Sequence, residues 1–403
     1  MEQEKISPRK EAYQFPPEAI SNIAQAMVGI SLKVQPGEKA LIFYDLLGKP
    51  LADEIIKLCQ QKGAVVDFFQ RNVKKEIEIV SNHSLKDLEN YFLGQKKKIE
   101  KADAIFLIKA QEDPQTTGII PSDKEAAYGE NYIKAHQRRL EGKVRWCITH
   151  WPTEYSAKKE RLELGEFFSQ FLEACNQPWE EIKTAQAKLV KMLNRGETLE
   201  FIVNEKDEDK KKRTRLEMSI KGMTFINTTV IQNYPGSEVF SAPILNSVNG
   251  QLYAPGEYLY ENKLMENIFL KIKEGKIIEA FAEKGNDYLQ EILNQGEGAR
   301  YFGEVAFGTN PGLTRRFFDT LLNEKGAGGF HLAIGFCSEE KVYEGTPVNV
   351  NNGNTKDKTP VHWDLTLLMH PQFGGGKVIL DGEVIQENGK FLDPELAILN
   401  PKI

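Results

Sequence analysis

Histidines and carboxylates are the groups that could do chemistry in this chain. The histidines are His83, His136, His150, His331, His362 and His370, and the last three crowd toward the C-terminus. In VHWDLTLLM (361–369) the apolar run implies a strand, and alternation along a strand puts His362 and Asp364 on one face. Two such side chains stand about 7 Å apart along the strand, close enough to converge on a pair of cations. A neutral imidazole with a carboxylate suits Zn²⁺, Co²⁺ or Mn²⁺. The same pattern also describes a half-buried strand whose His–Asp face satisfies itself. His331 lies in GFHLAIGFC (329–337), an apolar, β-prone run in which a histidine ordinarily packs as a hydrogen-bonded core residue. Glu324 lies in the glycine-rich stretch NEKGAGG just upstream, where a lone glutamate is ordinarily solvated. GSEVFSAP (236–243) and GEVAFG (303–308) each set a glutamate beside glycine at the start of a short apolar run. Alone, Glu238 and Glu304 read as surface carboxylates. Turned into one cluster they become oxygen ligands, and one of them could bridge two metals.

Such scattered groups need a scaffold. The first half alternates strand and helix patterns. Strand-length runs occupy Lys39–Asp45, 64–70, 102–109 and 144–150, and residues 49–63 carry a helical spacing closed by Gly63. A helical stretch over 162–193 closes this half. Alternation of this kind implies a parallel sheet covered by helices. The second half is richer in β patterns. Runs at 199–203 and 216–220 flank EKDEDKKKRTR (205–215), whose four acids among six bases read as an exposed hairpin tip rather than a nucleic-acid patch. EGK (274–276) marks another hairpin, and 286–294 a short helix. The expected fold class is α/β: an N-terminal parallel-sheet α/β domain over 1–198 and a C-terminal α+β metal-binding domain over 199–403.

Composition narrows the function. Lys and Arg number 52 and Asp and Glu 58, a net charge of −6, which argues against a chain whose work is to coat nucleic acid. Apolar residues at 40% and charged residues at 27% describe a globular protein rather than a disordered one. Cys59, Cys147, Cys175 and Cys337 form no C-x-x-C pair and read as reduced thiols of a cytoplasmic protein. The N-terminal stretch MEQEKISPRKEAYQF has no apolar segment of the secretory kind, and no run approaches a membrane span. The first strand–helix turn, DLLGKP (45–50), has one glycine where a dinucleotide site uses three. No P-loop, G-x-S-x-G or H-E-x-x-H motif is present.

Taken together, the segments GSEVFSAP, EGARYFGEVAFG, NEKGAGGFHLAIG and VHWDL, in that order, resemble the M29 family of metallopeptidases, the thermophilic aminopeptidase T type. VQPGEKALI and RWCITHWP (145–152) extend the resemblance into the first half. It implies a cytoplasmic, homodimeric metallo-aminopeptidase. Such an enzyme removes N-terminal residues from a peptide substrate with two divalent metal ions, and needs neither nucleic acid nor membrane. It also implies a ligand set of Glu238, Glu304, Glu324, His331, His362 and Asp364, with Glu304 as the bridging carboxylate. Ser237 is inserted after the glycine of the family's GEVF-type segment, and Asn323 replaces the usual aspartate before Glu324. The family places a catalytic tyrosine where this chain has Ser338; Tyr343, five residues later, is the candidate for that role.

The chemistry implied is peptide hydrolysis by activated water. General-base duty falls to Glu304 or Glu324, and Tyr343 could donate a hydrogen bond to the oxyanion. Two other readings stand beside it. One is a catalytically impaired metal- or peptide-binding protein of the same family, motivated by Ser338 and Ser237. The other is a glycosidase with Glu238 and Glu304 as acid and base, which a chelator would leave untouched.

Overall fold

The computed structural model describes residues 13–82 and 84–402. The N-terminal stretch through residue 12 and His83 lie outside the described residues. The chain forms two compact units. One comprises residues up to 138 with 150–172, the other 139–149 with 173–403.

In the first unit, β1 (Lys39–Asp45), β2 (Val65–Arg71) and β3 (Ala104–Lys109) pair in parallel in the order β2-β1-β3. Residues Ala40 to Tyr44 of the central strand are all buried, as a strand covered on both faces must be. The helix Lys49–Gln61 buries Leu51, Ala52, Ile55 and Cys59, one stripe at helical spacing. Gly63 follows at φ +81°, the left-handed residue that ends many helices. After β2 come the helices Val73–Asn82 and Leu85–Ile99; the second starts on a capping box between Ser84 and Asp87. The chain winds from β1 outward to β2, then crosses back over β1 to reach β3.

The second unit is mainly antiparallel. It holds β4 (Arg145–His150), β5 (Thr198–Val203), β6 (Thr214–Ser219), β7 (Ile226–Thr228), β8 (Gln232–Asn233) and β9 (Glu238–Ser241). The long strands β10 (Asn249–Tyr260), β11 (Lys263–Lys273) and β12 (Lys276–Lys284) follow, then β13 (Phe302–Gly308), β14 (Gly329–Gly335), β15 (Val342–Tyr343) and β16 (Thr346–Pro347). The chain ends with β17 (His362–Leu368), β18 (Gly376–Leu380), β19 (Glu383–Glu387) and β20 (Lys390–Phe391). One sheet runs β12-β11-β10-β6-β5-β18-β19-β20 and a second runs β17-β14-β13-β9-β7. Aromatic packing joins them: Phe201 of β5 stacks on Phe330 of β14 at 4.2 Å, with Phe307 of β13 at 6.0 Å.

Residues 205–215 lie between the paired strands β5 and β6, and Glu274 and Gly275, both at positive φ, turn β11 into β12. The segment 162–193 is two helices, Leu164–Cys175 and Trp179–Leu193, separated at Pro178, which has no N–H to continue the ladder. The last change of unit along the chain falls after residue 172. The reason is packing: the helix Trp179–Leu193 buries Gln186 against Ser237 and Thr309 of the second unit. Among the described residues no helix is long and apolar enough to cross a membrane.

Candidate metal centre

Strand register brings the chemistry together. Glu304 of β13 stands opposite Ala333 of β14, which stands opposite Asp364 of β17. One step along, Ala306 pairs with His331 and His331 with Thr366. Gly335 pairs with His362, and Gly308 with Glu238 of β9. Side chains on paired residues, and on residues two apart, share a face of the sheet. Glu238, Glu304, His331, His362 and Asp364 therefore share one face, with only Ala306, Ala333 and Gly308 between them. The opposite face is apolar: Val305, Phe307, Phe330, Leu332, Trp363 and Leu365 are buried in the intersheet core. The glycines of GEVAFG have a packing role as well. A Cβ on Gly303 would strike the Phe336 backbone, and one on Gly308 the Gly326 backbone.

Donor atoms of Glu238, Glu304 and His331 lie within 4.8 Å of one another, as do those of Glu304, His362 and Asp364. Glu304 belongs to both sets. His331 Nε2 is 3.0 Å from Glu304 Oε1, 3.7 Å from Glu238 Oε2 and 3.8 Å from Asp364 Oδ1. His362 Nε2 is 3.6 Å from Asp364 Oδ1, and its Nδ1 faces the Phe336 carbonyl at 2.7 Å. That second contact directs Nε2 toward the carboxylates. Glu238 Oε2 and Asp364 Oδ1 are buried with no hydrogen-bond partner. A buried carboxylate oxygen without a donor is costly, and a cation removes that cost. Oxygen and imidazole donors in sets of three fit a divalent ion of the Zn²⁺ type.

Glu324 approaches from the short helix Thr320–Asn323, as its C-cap, and stands outside both donor sets. Its Oε1 accepts from Lys325 Nζ at 2.6 Å, and the same ammonium lies 2.6 Å from Glu238 Oε1. Lys325 is only 1% exposed. Thr228 donates a further hydrogen bond to Glu238 Oε1 at 3.1 Å. Below Glu238, Gln186 Nε2 donates to Ser237 Oγ, to Thr309 Oγ1 and to the Glu238 carbonyl, while its Oε1 accepts from Thr229 Oγ1. This holds the backbone at Ser237, which adopts φ +106°.

Crowded charge shifts the titrations. Burial, with Asp364 and Glu238 nearby, pushes the Glu324 carboxyl up to about 8 against the pull of Lys325. Burial pulls the His331 imidazole down, but the Glu304 hydrogen bond and the charges of Asp364, Glu304 and Glu238 outweigh it and push it up to about 9. His362 is likewise raised: Asp364 and Glu304 overcome its burial. Burial pushes Asp364 up, yet His362 and His331 bring it below the ordinary aspartate value.

Tyr343 lies over the same face, packed with Ile226, Phe240, Ala306 and Val350. Its hydroxyl donates to the Asn227 carbonyl at 2.7 Å. Ser338 lies in the loop after β14, where its Oγ accepts from the Glu340 N–H at 3.4 Å. Sequence reasoning missed Lys325 and Gln186. A lysine beside a loop glutamate carries no local signal of burial, and Gln186 sits in a helix far upstream of the residues it supports.

Comparison with known proteins follows the same line. A sequence profile described as thermophilic metalloprotease (M29) matches residues 17–391. Aminopeptidase T of Thermus thermophilus is 40% identical over 121 residues, 28% of this chain and 28% of that protein. Aminopeptidase 2 of Geobacillus stearothermophilus is 24% identical over 409 residues, covering 92% of this chain and 95% of its own length. The solved structure of AmpT from Thermus thermophilus superposes with a TM-score of 0.73 at 19% identity, over 93% of this chain and 99% of that one. It shares the mixed α/β architecture.

Proposed function

The chain belongs to the thermophilic metalloprotease family, M29, and we propose on that premise that it is a metal-dependent aminopeptidase. In this reading it releases the N-terminal residue of a peptide at a centre of two divalent ions, Zn²⁺, Co²⁺ or Mn²⁺. The observation that carries the reading is the pair of donor sets meeting at Glu304. Glu238, Glu304 and His331 would hold one ion, and Glu304, His362 and Asp364 the other. When bound, such ions supply Lewis acidity toward a carbonyl and lower the pKa of water to about 7.

The chain's own groups do the rest. Glu304 is shared by both sets and bonded to His331, so its part is to bridge. Glu324 stands clear of both sets with its carboxyl held on Lys325, which suits it to take a proton from the attacking water and return it to the departing amine. The free α-amine of a peptide finds carboxylates on this face, which favours a chain end over an internal bond. Lys325 keeps Glu238 and Glu324 at a fixed separation. The full reading includes a homodimer in the cytoplasm, and free thiols at Cys59, Cys147, Cys175 and Cys337 accord with a reducing compartment.

One observation favours a second reading, a metal- or peptide-binding protein without turnover. Ser338 occupies the expected tyrosine position, and the Tyr343 hydroxyl is engaged by Asn227. Metal analysis of the purified protein, combined with hydrolysis of Leu-p-nitroanilide and its N-acetylated form, separates the two. The aminopeptidase reading expects metal, cleavage of the free-amine substrate alone, and loss of activity in EDTA restored by Co²⁺ or Zn²⁺. Bound metal with no cleavage of any unblocked peptide selects the second reading. Cleavage indifferent to EDTA sinks both.

A further inference from the structure

The two donor sets at the centre differ in their surroundings. They share Glu304, so what distinguishes them is Glu238 with His331 on one side and His362 with Asp364 on the other. Charge is the first difference. Glu238 already has a cation: the Lys325 ammonium lies 2.6 Å from its Oε1, and Lys325 is 1% exposed. Thr228 Oγ1 donates to the same oxygen at 3.1 Å, so Oε2 of Glu238 is the oxygen left for an ion. Among the described residues no lysine or arginine forms an ion pair with Glu304 or Asp364, whose partners are His331 and His362. A cation arriving beside Glu238 meets a buried positive charge, and like charges repel more strongly there than in water; one arriving beside Asp364 meets none.

The histidines differ in the same direction. His362 Nδ1 stands 2.7 Å from the Phe336 carbonyl, a contact that needs the proton on Nδ1 and leaves the Nε2 lone pair for a metal. That Nε2 lies 3.6 Å from Asp364 Oδ1, a buried oxygen with no hydrogen-bond partner. His331 has no such support. Its Nδ1 is buried without a partner, and its Nε2 is engaged by Glu304 Oε1 at 3.0 Å. No outer acceptor fixes its tautomer for ligation, and the Glu304 contact is given up when Nε2 turns its lone pair to an ion. Outer partners of this kind change metal affinity about 10–100-fold. Access points the same way: the side chains of His362 and Asp364 are 26% and 15% exposed, those of His331 and Glu238 0% and 8%.

We propose that Lys325 is a built-in counter-cation that makes the centre load in order. Glu304, His362 and Asp364 take the first divalent ion, and Glu238, Glu304 and His331 take the second at least about tenfold more weakly. The inference rests on the metal-dependent reading given above and goes beyond it, because that reading needs two sets of donors and does not rank them. At low cation supply the protein holds one ion, and the second comes and goes with the concentration of free metal. Occupancy of the Glu238 set is then the step at which metal supply regulates the enzyme.

The test is calorimetric titration of the EDTA-stripped full chain with Co²⁺, followed in parallel by visible absorption. Two phases are expected, with dissociation constants about tenfold or more apart. His362→Ala should abolish the tight phase. Glu238→Gln should abolish the weak phase and leave the tight constant within about threefold of its value. Lys325→Met should tighten the weak phase about tenfold with the tight one little changed; if that variant fails to fold, His362→Ala and Glu238→Gln decide the order between them. A single ion kept in Glu238→Gln and lost in His362→Ala, with a second phase emerging in Lys325→Met, supports the same order. Two ions bound with equal constants overturn the proposal and leave the aminopeptidase reading standing. So does a tight phase lost in Glu238→Gln and kept in His362→Ala, or a weak phase that Lys325→Met leaves unchanged. No bound Co²⁺ overturns both.

Discussion

Replacing Lys325 by methionine should destabilise the protein sharply, and by an amount the site itself sets. The Lys325 ammonium is 2.6 Å from a carboxylate oxygen of Glu238 and 2.6 Å from one of Glu324. At an effective dielectric constant of about 20, the contact with Glu238 carries roughly 6 kcal/mol of attraction before dehydration is counted, while Glu324, pushed up to about 8, is largely protonated at pH 7 and adds a hydrogen bond. Dehydration of the buried ammonium and carboxylate offsets most of that. Removing one partner of a buried pair has a net cost of about 3–5 kcal/mol, because the remaining charges stay buried and uncompensated. For a unit of this size each kcal/mol moves Tm by about 2–4 °C, so a fall of roughly 6–20 °C is expected. Methionine keeps the length of the side chain, which separates lost charge from lost volume. Differential scanning calorimetry at pH 7, with and without added Zn²⁺, reads the effect. Added cation should recover more of the loss in Lys325→Met than it adds to the unaltered chain, since it compensates the same carboxylates. A Tm within about 2 °C of the unaltered protein, or equal responses to Zn²⁺, would refute the view that Lys325 balances this cluster.

Three further outcomes are expected. Glu304→Gln should lose metal by mass-spectrometric analysis and lose Leu-p-nitroanilide cleavage together, because both donor sets share that carboxylate; retained metal at full stoichiometry would remove Glu304 from its bridging place. Tyr343→Phe should slow turnover by about 10²-fold with metal content unchanged if its hydroxyl reaches the oxyanion, and an unaltered rate would leave it a structural donor to Asn227. In the first unit, burial pushes the Glu76 carboxyl up, but its Arg71 ion pair and the Tyr128 and Tyr91 hydroxyls outweigh this and hold it below the ordinary value. That stabilisation is present above the ordinary carboxylate pKa and is lost as pH falls through the depressed one. Glu76→Gln should therefore be about 3 kcal/mol less stable at pH 7 and show a flatter decline in acid, as urea midpoints across pH would record; parallel profiles would contradict it.

The fold was legible where burial imposes a period. The apolar runs that became β1 and β3, the turn at Glu274 and Gly275, and the mixed α/β class all follow from local pattern. The junction between units was less legible, because the helix Trp179–Leu193 looks the same whichever unit its apolar stripe faces. Residues 162–193 read as one helical stretch, and only the bonds from Gln186 to Ser237 and Thr309 show where its second helix belongs. At the candidate centre the single segments were ambiguous. Glu238, Glu304 and His331 each had an ordinary explanation, and what joins them is the pairing of β9, β13, β14 and β17, which short-range pattern does not encode. Lys325 was invisible for a related reason: beside its neighbour Glu324 its burial depends on Glu238, which a distant strand delivers.

The register that places Ala306, Ala333 and Gly308 among the candidate ligands also fixes when the proposed centre could assemble during synthesis. Its donors arrive on four strands, and the last of them, β17, precedes only the closing edge of the larger sheet. A chain still on the ribosome could hold at most an incomplete set until His362 and Asp364 emerge. On the proposed ligand set, metal loading would be a late event, coupled to closure of the sheet, and a C-terminally truncated product would neither retain metal nor act as a stray peptidase.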